Sequence, residues 1–226
     1  MRKVVLDTET TGLDPAQGHR IIEIGALEIV NRQVTGRSFH VYLNPDREID
    51  AGAIAVHGLT NEFLADKPRF PDVVDDLLAF VEAAELVIHN APFDMGFLNA
   101  ELRMLSRPKL ESQCVGVQDT LKMAKDLHPG QKNNLDALCR RYEVDNSGRT
   151  YHGALLDAQL LAEVYLAMTR GQESLGIETI SHNAGSSRKL KAGLALRVLT
   201  PSEEELGAHA DYLAALSKES GGALNW

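Results

Sequence analysis

The chain has 226 residues and a formal net charge of −9 at pH 7, and 44% of its residues are hydrophobic and 24% charged. These proportions are typical of a soluble globular protein, and no apolar run reaches the length of a membrane span, so we expect no membrane partner. An acidic chain lacks the basic surface of a free-standing nucleic-acid binder. Any contact with nucleic acid must therefore be local or be supplied by a partner.

The N-terminal segment, beginning Met1-Arg2-Lys3-Val4, lacks the apolar stretch and small-residue cleavage site of a secretory signal. The two cysteines, Cys114 and Cys139, lie far apart without metal-ligand spacing, which favours reduced thiols. The sequence therefore predicts a cytoplasmic protein.

The first part of the chain predicts three strands in succession. Apolar runs cover residues 3–9, 21–30 and 38–43, and turn-forming residues separate them. This order predicts an antiparallel meander.

From residue 60 the apolar residues recur at helical spacing, interrupted by two short runs that predict strands at 86–88 and 115–117. The predicted helices cover 63–64, 72–84, 93–105, 119–127, 134–142 and 153–170. The predicted fold class is α/β, a mixed sheet flanked by helices.

The composition changes after residue 170, which predicts an organisation in three parts. Residues 1–170 form the domain, and the glycine- and serine-rich stretch 171–200 predicts a flexible linker. Residues 201–226 regain a helical pattern that opens with Ser202 and Glu205, a capping-box spacing. A single helix of this length is not stable alone in water, so we expect it to fold against a partner.

Two carboxylates close the first predicted strand. Asp7 and Glu9 are two residues apart, so both side chains point to the same side of a strand. Like charges held this close cost free energy unless a cation neutralises them. The pair therefore predicts a metal site.

Two further carboxylates would also be stabilised by a cation. Asp94 follows the strand 86–88 at a predicted helix start, and Asp157 lies on an otherwise apolar helix, where an unpaired charge is costly. Taken singly, Asp94 could be a capping residue and Asp157 could be solvated. Four carboxylates together suit two Mg²⁺ or Mn²⁺ ions, which stabilise the attacking and leaving oxygens of phosphoryl transfer. His152, alternatively an exposed loop residue, could act as a general base.

Three segments resemble the motifs of the DEDDh 3′–5′ exonucleases, in the same order and spacing, across residues 1 to about 170. The segments are Asp7-Thr-Glu9-Thr-Thr-Gly12, His89-Asn90-Ala-Pro-Phe-Asp94 and His152-Gly-Ala-Leu-Leu-Asp157. The resemblance implies a ribonuclease-H-like fold, a metal site of the four carboxylates, and His152 as the general base. It also implies that the substrate contacts include Thr8, Glu9, Asn90 and His152.

Residues 56–60 and 63–70 resemble the epsilon subunits of bacterial DNA polymerase III, a family of proofreading exonucleases. The resemblance implies that His57 contacts the terminal nucleotide; alternatively, it is a turn residue before Gly58. Residues 131–139 also resemble this family. In that segment Asn134 either positions substrate or, as we favour, caps the next helix.

The extension carries two further resemblances. Residues 172–177 resemble a sliding-clamp-binding peptide with Gln172, Leu175 and Ile177 as contacts, and the absence of a following aromatic residue predicts weak binding. The last residues, ending in Trp226, resemble the segment that docks on the polymerase alpha subunit. Leu213 and Trp226 are the expected contacts, because aromatic anchors are typical of interfaces. A small theta-like subunit is a further candidate partner.

The resemblance as a whole implies a 3′–5′ exodeoxyribonuclease that removes mismatched 3′-terminal nucleotides as 5′-monophosphates. One alternative is a stand-alone RNA-trimming exonuclease of the same superfamily, which would have no use for residues 171–226. Another is a non-catalytic scaffold that joins clamp and polymerase, which would gain nothing from crowded carboxylates.

Overall fold

Five strands and eight α-helices make up the part of the chain that the computed structural model describes, residues 1–148, 151–170 and 201–220. The strands are β1 (Arg2–Thr10), β2 (Ile21–Val30), β3 (Gln33–Tyr42), β4 (Glu85–Ile88) and β5 (Gly116–Asp119). The helices are α1 (Ala51–His57), α2 (Asn61–Leu64), α3 (Phe70–Val81), α4 (Ala91–Met104), α5 (Thr120–Leu127), α6 (Leu135–Tyr142), α7 (Ala154–Met168) and α8 (Glu203–Ser220).

The strands form one mixed sheet in the order β3-β2-β1-β4-β5. β1, β2 and β3 are antiparallel neighbours, whereas β4 pairs parallel to β1, and β5 parallel to β4. The meander and the mixed sheet are therefore confirmed. Because β1, β4 and β5 are parallel, their carboxyl ends meet at one edge of the sheet, where side chains from three separate segments can converge.

Alternate residues of β1 serve the two faces of the sheet, as a strand requires. Val4 and Leu6 belong to the larger apolar cluster, which α3 and α4 complete, while Val5 packs with Leu27 and with residues of α7. The helices therefore cover both faces. This packing holds α4 and α7 against the strand that carries Asp7 and Glu9.

Two elements differ from the predictions. β3 begins at Gln33 rather than at residue 38, because its first half is exposed at the sheet edge and its polar residues give no apolar run. α1 was not predicted; His57 is the one residue in it that is buried, so the segment lacks a periodic apolar face. The remaining predicted elements are present with shifts of a few residues at their ends.

The C-terminal helix α8 begins with the predicted capping box. The amide of Glu205 donates to the Ser202 hydroxyl at 3.2 Å, and the amide of Ser202 donates to the Glu205 carboxylate at 2.8 Å. Leu213 is half-buried. Several predictions concern residues outside those that the structure describes. These are the linker, the clamp-binding residues Gln172, Leu175 and Ile177, and Trp226. None of the described helices is long and apolar enough to cross a membrane.

Candidate active site

The end of β1 places Asp7 and Glu9 on the face of the sheet that α7 covers. Asp7 is half-buried and lies opposite Gly25 of β2, and Glu9 is buried opposite Glu23. The register shifts directly after Glu9, so the strand becomes irregular where the two carboxylates end. Such irregularities are frequent next to active sites, because they redirect side chains.

Gly25 allows α7 to approach this strand end closely. A Cβ atom at position 25 would lie 2.2 Å from the backbone nitrogen of Leu155 and 2.4 Å from its Cα, so only glycine fits without movement of the helix. The first turn of α7 therefore rests on β2 beside Asp7. Asp157, in the same turn, is buried.

Glu9, His152 and Asp157 form a compact cluster of metal-ligating atoms, one from each residue, which all lie within 4.8 Å of one another. His152 Nδ1 lies 3.3 Å from a carboxylate oxygen of Asp157. The side chain of His152 is 46% exposed whereas that of Asp157 is 5% exposed, so the histidine borders solvent and the carboxylate lies behind it. The predicted positions of His152 before the helix and of Asp157 on it are both confirmed.

Asp94 lies in the first turn of α4 and is buried. The hydroxyl of Thr8 donates to it at 2.7 Å, which joins α4 to the end of β1. Burial raises the pKa of Asp94 to about 7, and the charge of Asp119 acts in the same direction, although hydrogen bonds from Thr8 and the backbone oppose the shift. The helix N-cap position belongs to Asn90, so Asp94 is not the capping residue.

This donor set fits divalent metal ions. Carboxylate oxygens are the ligands of hard cations, and a buried carboxylate with a raised pKa is stabilised in its charged form when a cation is present. The four carboxylates come from three neighbouring places. Asp7 and Glu9 lie at the end of β1, and Asp94 and Asp157 lie on the first turns of the two helices packed against it. The residues present therefore match what such ions require.

A cavity of about 490 Å³ opens beside this cluster. Thr8 and Glu9 form one side, α1 contributes the opposite side through Val56 and His57, and Phe93 and Leu13 complete it. The cavity thus shares Glu9 with the ligand cluster. Asn90 and His152, two predicted substrate contacts, are not among the residues that line it.

His57 lines this cavity and contains a buried polar atom without a hydrogen-bond partner among the described residues. Its Nδ1 accepts a hydrogen bond from the amide of Leu59 at 3.0 Å, which leaves the proton on Nε2. That Nε2 is buried and has no hydrogen-bond partner in the described part of the chain. Burial lowers the pKa of His57 and the neighbouring His152 acts in the same direction, while the Thr10 backbone opposes the shift. His57 is therefore a neutral ring with a buried Nε2 donor beside the cavity.

The end of α1 and the loop before α7 hold each other in place. The amide of His152 donates to the carbonyl of Val56 at 3.1 Å. Gly58 has a φ of 73°, and a Cβ atom there would lie 3.1–3.3 Å from the ring of Tyr151. The segment that carries His57 therefore positions the segment that carries His152.

Asp119, at the end of β5, was not predicted as part of the site. It accepts hydrogen bonds from the amides of Leu121 and Asn90, so it caps α5 and fixes the turn before α4. An acidic residue two positions after the apolar run 115–117 was the available signal, because parallel strands end at the same edge. Asn134 caps α6 by accepting from the amide of Ala137 at 3.0 Å, as favoured above.

Comparison with known proteins assigns the family. The exonuclease family model matches residues 4–165. The DNA polymerase III subunit epsilon of Salmonella typhimurium is 52% identical, over 99% of this chain and 96% of the relative. The subunit of the same name from Escherichia coli is 50% identical with the same coverage.

Two solved structures have similar folds. Exonuclease X, solved in complex with 5′ overhanging duplex DNA, has a TM-score of 0.60 and 26% identity, over 75% of this chain and 92% of that one. The nuclease domain of 3′hExo, a DEDDh family member bound to rAMP, has a TM-score of 0.64 over 76% of this chain and 92% of that one. At 17% identity the second likeness concerns the fold alone.

The matched domain contains the carboxylates, the histidine and the cavity described above, and the epsilon relatives align with nearly the whole chain. The chain therefore belongs to the exonuclease family, and within it to the epsilon subunits of DNA polymerase III.

Proposed function

We propose that this exonuclease removes nucleotides one at a time from the 3′ end of DNA and proofreads for a replicative DNA polymerase in the cytoplasm. The observation that carries the proposal is the cluster of Glu9, His152 and Asp157 within 4.8 Å, directly beside the cavity. A cavity of about 490 Å³ accommodates one nucleotide better than a duplex end. A frayed, mismatched end would enter more readily, because it needs less unpairing.

The terminal nucleotide would occupy the cavity with its base against Phe93 and Leu13. His57 Nε2 would donate a hydrogen bond to this nucleotide, which would satisfy the buried donor. Thr8 and Glu9 line the same cavity and would contact the sugar end. The backbone amide of Asn90 donates to Asp119 and so fixes the turn before α4, and the side chain of Asn90 remains a proposed substrate contact.

His152 would accept the proton of the attacking water. Its partly exposed ring can exchange that proton with solvent, and Asp157 at 3.3 Å orients Nδ1 and stabilises the charged ring. Two divalent ions, Mg²⁺ or Mn²⁺, held by Asp7, Glu9, Asp94 and Asp157 would stabilise charge on the attacking and leaving oxygens. The water oxygen would bond to phosphorus while the bond to the preceding 3′ oxygen breaks. That oxygen would take up a proton from solvent, and the terminal nucleotide would leave as a 5′-monophosphate.

The proposed partners follow from the epsilon relatives. We propose that residues 201–226 bind the polymerase alpha subunit through Leu213 and Trp226. We also propose that residues 172–177 bind the sliding clamp weakly through Gln172, Leu175 and Ile177. A small theta-like subunit completes the proposed set of partners.

The test replaces Asp7 with Asn and Glu9 with Gln, which keeps side-chain size but removes two negative charges. We expect Mg²⁺-dependent release of 5′-monophosphates from a 3′-mismatched DNA primer to be lost while thermal unfolding remains cooperative. The matched control, Asp126→Asn with Glu163→Gln, removes two exposed charges on α5 and α7 and should behave like the parent. Near-normal hydrolysis by the first variant contradicts the proposal, and faster cleavage of a matched RNA would assign another substrate.

A further inference from the structure

A second groove, of about 380 Å³, lies along α4 next to the cavity. Gly96 and Ala100 form its floor, and Arg103, Arg107 and Lys109 bring positive charge to its far end. This is a concentration of basic residues on a chain whose net charge is −9. Such a local patch is the feature that an acidic enzyme acting on nucleic acid requires.

One stripe of α4 joins the cavity to this groove. Phe93 lines the cavity, and Gly96, Ala100 and Arg103 follow it at steps of three, four and three residues. Residues at these steps share one face of a helix. The space above Gly96 is open, and Ala100 is small. The helix surface between Phe93 and Arg103 is therefore free of large side chains along this stripe.

The loop after β1 forms a wall of both spaces. Gly12 and Leu13 line the cavity, and Pro15 and Ala16 line the groove. The side chain of Leu13 is 85% exposed, so the loop projects at the boundary. A strand that leaves the cavity along α4, past this loop, would pass directly into the groove.

The basic side chains are available to a ligand. Arg103 and Lys109 are exposed and form no ion pair with another residue in the described ranges. Arg107 pairs with Asp75 at 2.5 Å, so the free positive charge of the groove is that of Arg103 and Lys109. Glu111 keeps its charge and accepts a hydrogen bond from Asn99 at 3.0 Å. Glu101, on the same helix, is buried and forms an ion pair with Arg20 at 2.6 Å.

We propose that this groove binds the phosphodiester backbone of the DNA strand under degradation, on the 5′ side of the terminal nucleotide. The inference rests on the proposed function and adds a second contact region to it. Phe93 and Arg103 are ten positions apart, or about 15 Å along the helix at ~1.5 Å per residue. At ~3.4 Å per stacked nucleotide, Arg103 and Lys109 contact phosphates roughly four nucleotides from the end.

The test replaces Arg103 and Lys109 with Ala in the full chain. The matched control, Lys122→Ala with Arg140→Ala, removes one exposed lysine and one exposed arginine on α5 and α6, so both variants have the same net charge. On single-stranded DNA of about ten nucleotides we expect the groove variant to have a KM about tenfold higher than the control. The slope of log affinity against log salt should be shallower by about 1.4, for two phosphates at ~0.7 each.

A dinucleotide substrate ends before the groove, so the groove variant should hydrolyse it at the parent rate. Equal KM values for the groove and control variants on the long strand would overturn the inference, as would an equal loss on the dinucleotide. Fluorescence anisotropy with a labelled strand and EDTA measures binding without hydrolysis. If the parent protein binds but does not cleave DNA, the proposed function fails, while the difference between the two variants still tests the groove.

Discussion

At the scale of single residues, Asp94 shows how the site lowers the stability of the fold when no cation is bound. Its folded-state pKa of about 7 lies above its ordinary value of 3.8, so the folded protein binds a proton more tightly than the unfolded chain. Stability from this group is therefore present below the ordinary pKa and falls as pH rises toward 7. Above that pH the buried, charged carboxylate opposes folding.

Histidines with lowered pKa values, His57 among them, act in the opposite sense over this pH range. We therefore expect the Asp94 effect as a difference between two proteins: between pH 6 and pH 8 the metal-free parent should lose more stability, or gain less, than Asp94→Asn. Asp94→Asn should remove this group's contribution to the difference and stabilise the metal-free protein at pH 8 by on the order of 2 kcal/mol. Calorimetry in EDTA measures both effects, and Asp126→Asn on the surface of α5 is the control. An Asn variant that is less stable than the parent at pH 8 would refute this account of burial.

His57 provides the second prediction at this scale. Because its Nε2 is a buried donor without a partner and its pKa is lowered, the ring remains neutral and available to a substrate at neutral pH. His57→Ala should raise the KM for DNA about tenfold, the equivalent of one hydrogen bond of ~1.4 kcal/mol, and change kcat little. Steady-state kinetics measure this, with His128→Ala as a control histidine outside the cavity. A fall in kcat at constant KM would instead show that His57 acts through His152.

At the scale of elements, the placement of α7 depends on one position in β2. A methyl group at Gly25 would lie 2.2 Å from the backbone of Leu155, and backbone cannot rotate away as a side chain can. The first turn of α7 would have to move, and Asp157 would move with it. The distance from Asp157 to Glu9 is thus controlled from a strand that contributes no ligand to the described cluster.

Gly25→Ala should therefore destabilise the protein by about 1–3 kcal/mol, the usual cost of overpacking, and lower kcat at least tenfold in the molecules that remain folded. Gly116→Ala is the matched control, because Gly116 also lies in a strand and a Cβ atom there meets no neighbour within 4 Å. Urea unfolding and kinetics at a temperature where both variants are folded separate the two effects. Parent-like kcat in the Gly25 variant would show that α7 adapts without loss.

The elements also show which features sequence patterns can reveal. Continuous apolar runs identified the buried strands, and β2 was predicted with its observed limits. α1 gave no such signal because it is mostly exposed and buries only His57. The four carboxylates were recognisable because acidic residues are unusual at the ends of apolar segments. The close approach at Gly25 and the hydrogen bond from the Asn90 backbone to Asp119 depend on distant segments, so no local pattern contains them.

At the scale of the whole molecule, the acidic charge and the small cavity suggest that the domain supplies hydrolysis while a partner supplies affinity for DNA. The domain supplies the carboxylates and the nucleotide cavity, while a net charge of −9 disfavours tight binding to long DNA. Tethering to a polymerase would raise the local concentration of DNA ends without new DNA contacts.

We expect Leu213→Asp with Trp226→Ala, in the full chain, to abolish co-elution with the polymerase alpha subunit. Hydrolysis of short single strands should remain unchanged, because the described cluster and cavity are built from residues of the exonuclease domain. Val115→Asp is the control, since Val115 is an exposed apolar residue of the exonuclease domain. Retained co-elution on size-exclusion chromatography would contradict the tail assignment, and lost hydrolysis would show that the tail supports the site.

The hydrogen bond from the His152 amide to the Val56 carbonyl joins segments almost a hundred residues apart in the chain. One segment lines the cavity and the other carries the histidine that lies beside Asp157. In the proposed function the first would contact the terminal nucleotide and the second the attacking water. A nucleotide that fits poorly against α1 would therefore also disturb the alignment of His152. On this proposal, one backbone hydrogen bond would link the fit of the nucleotide to the position of the general base.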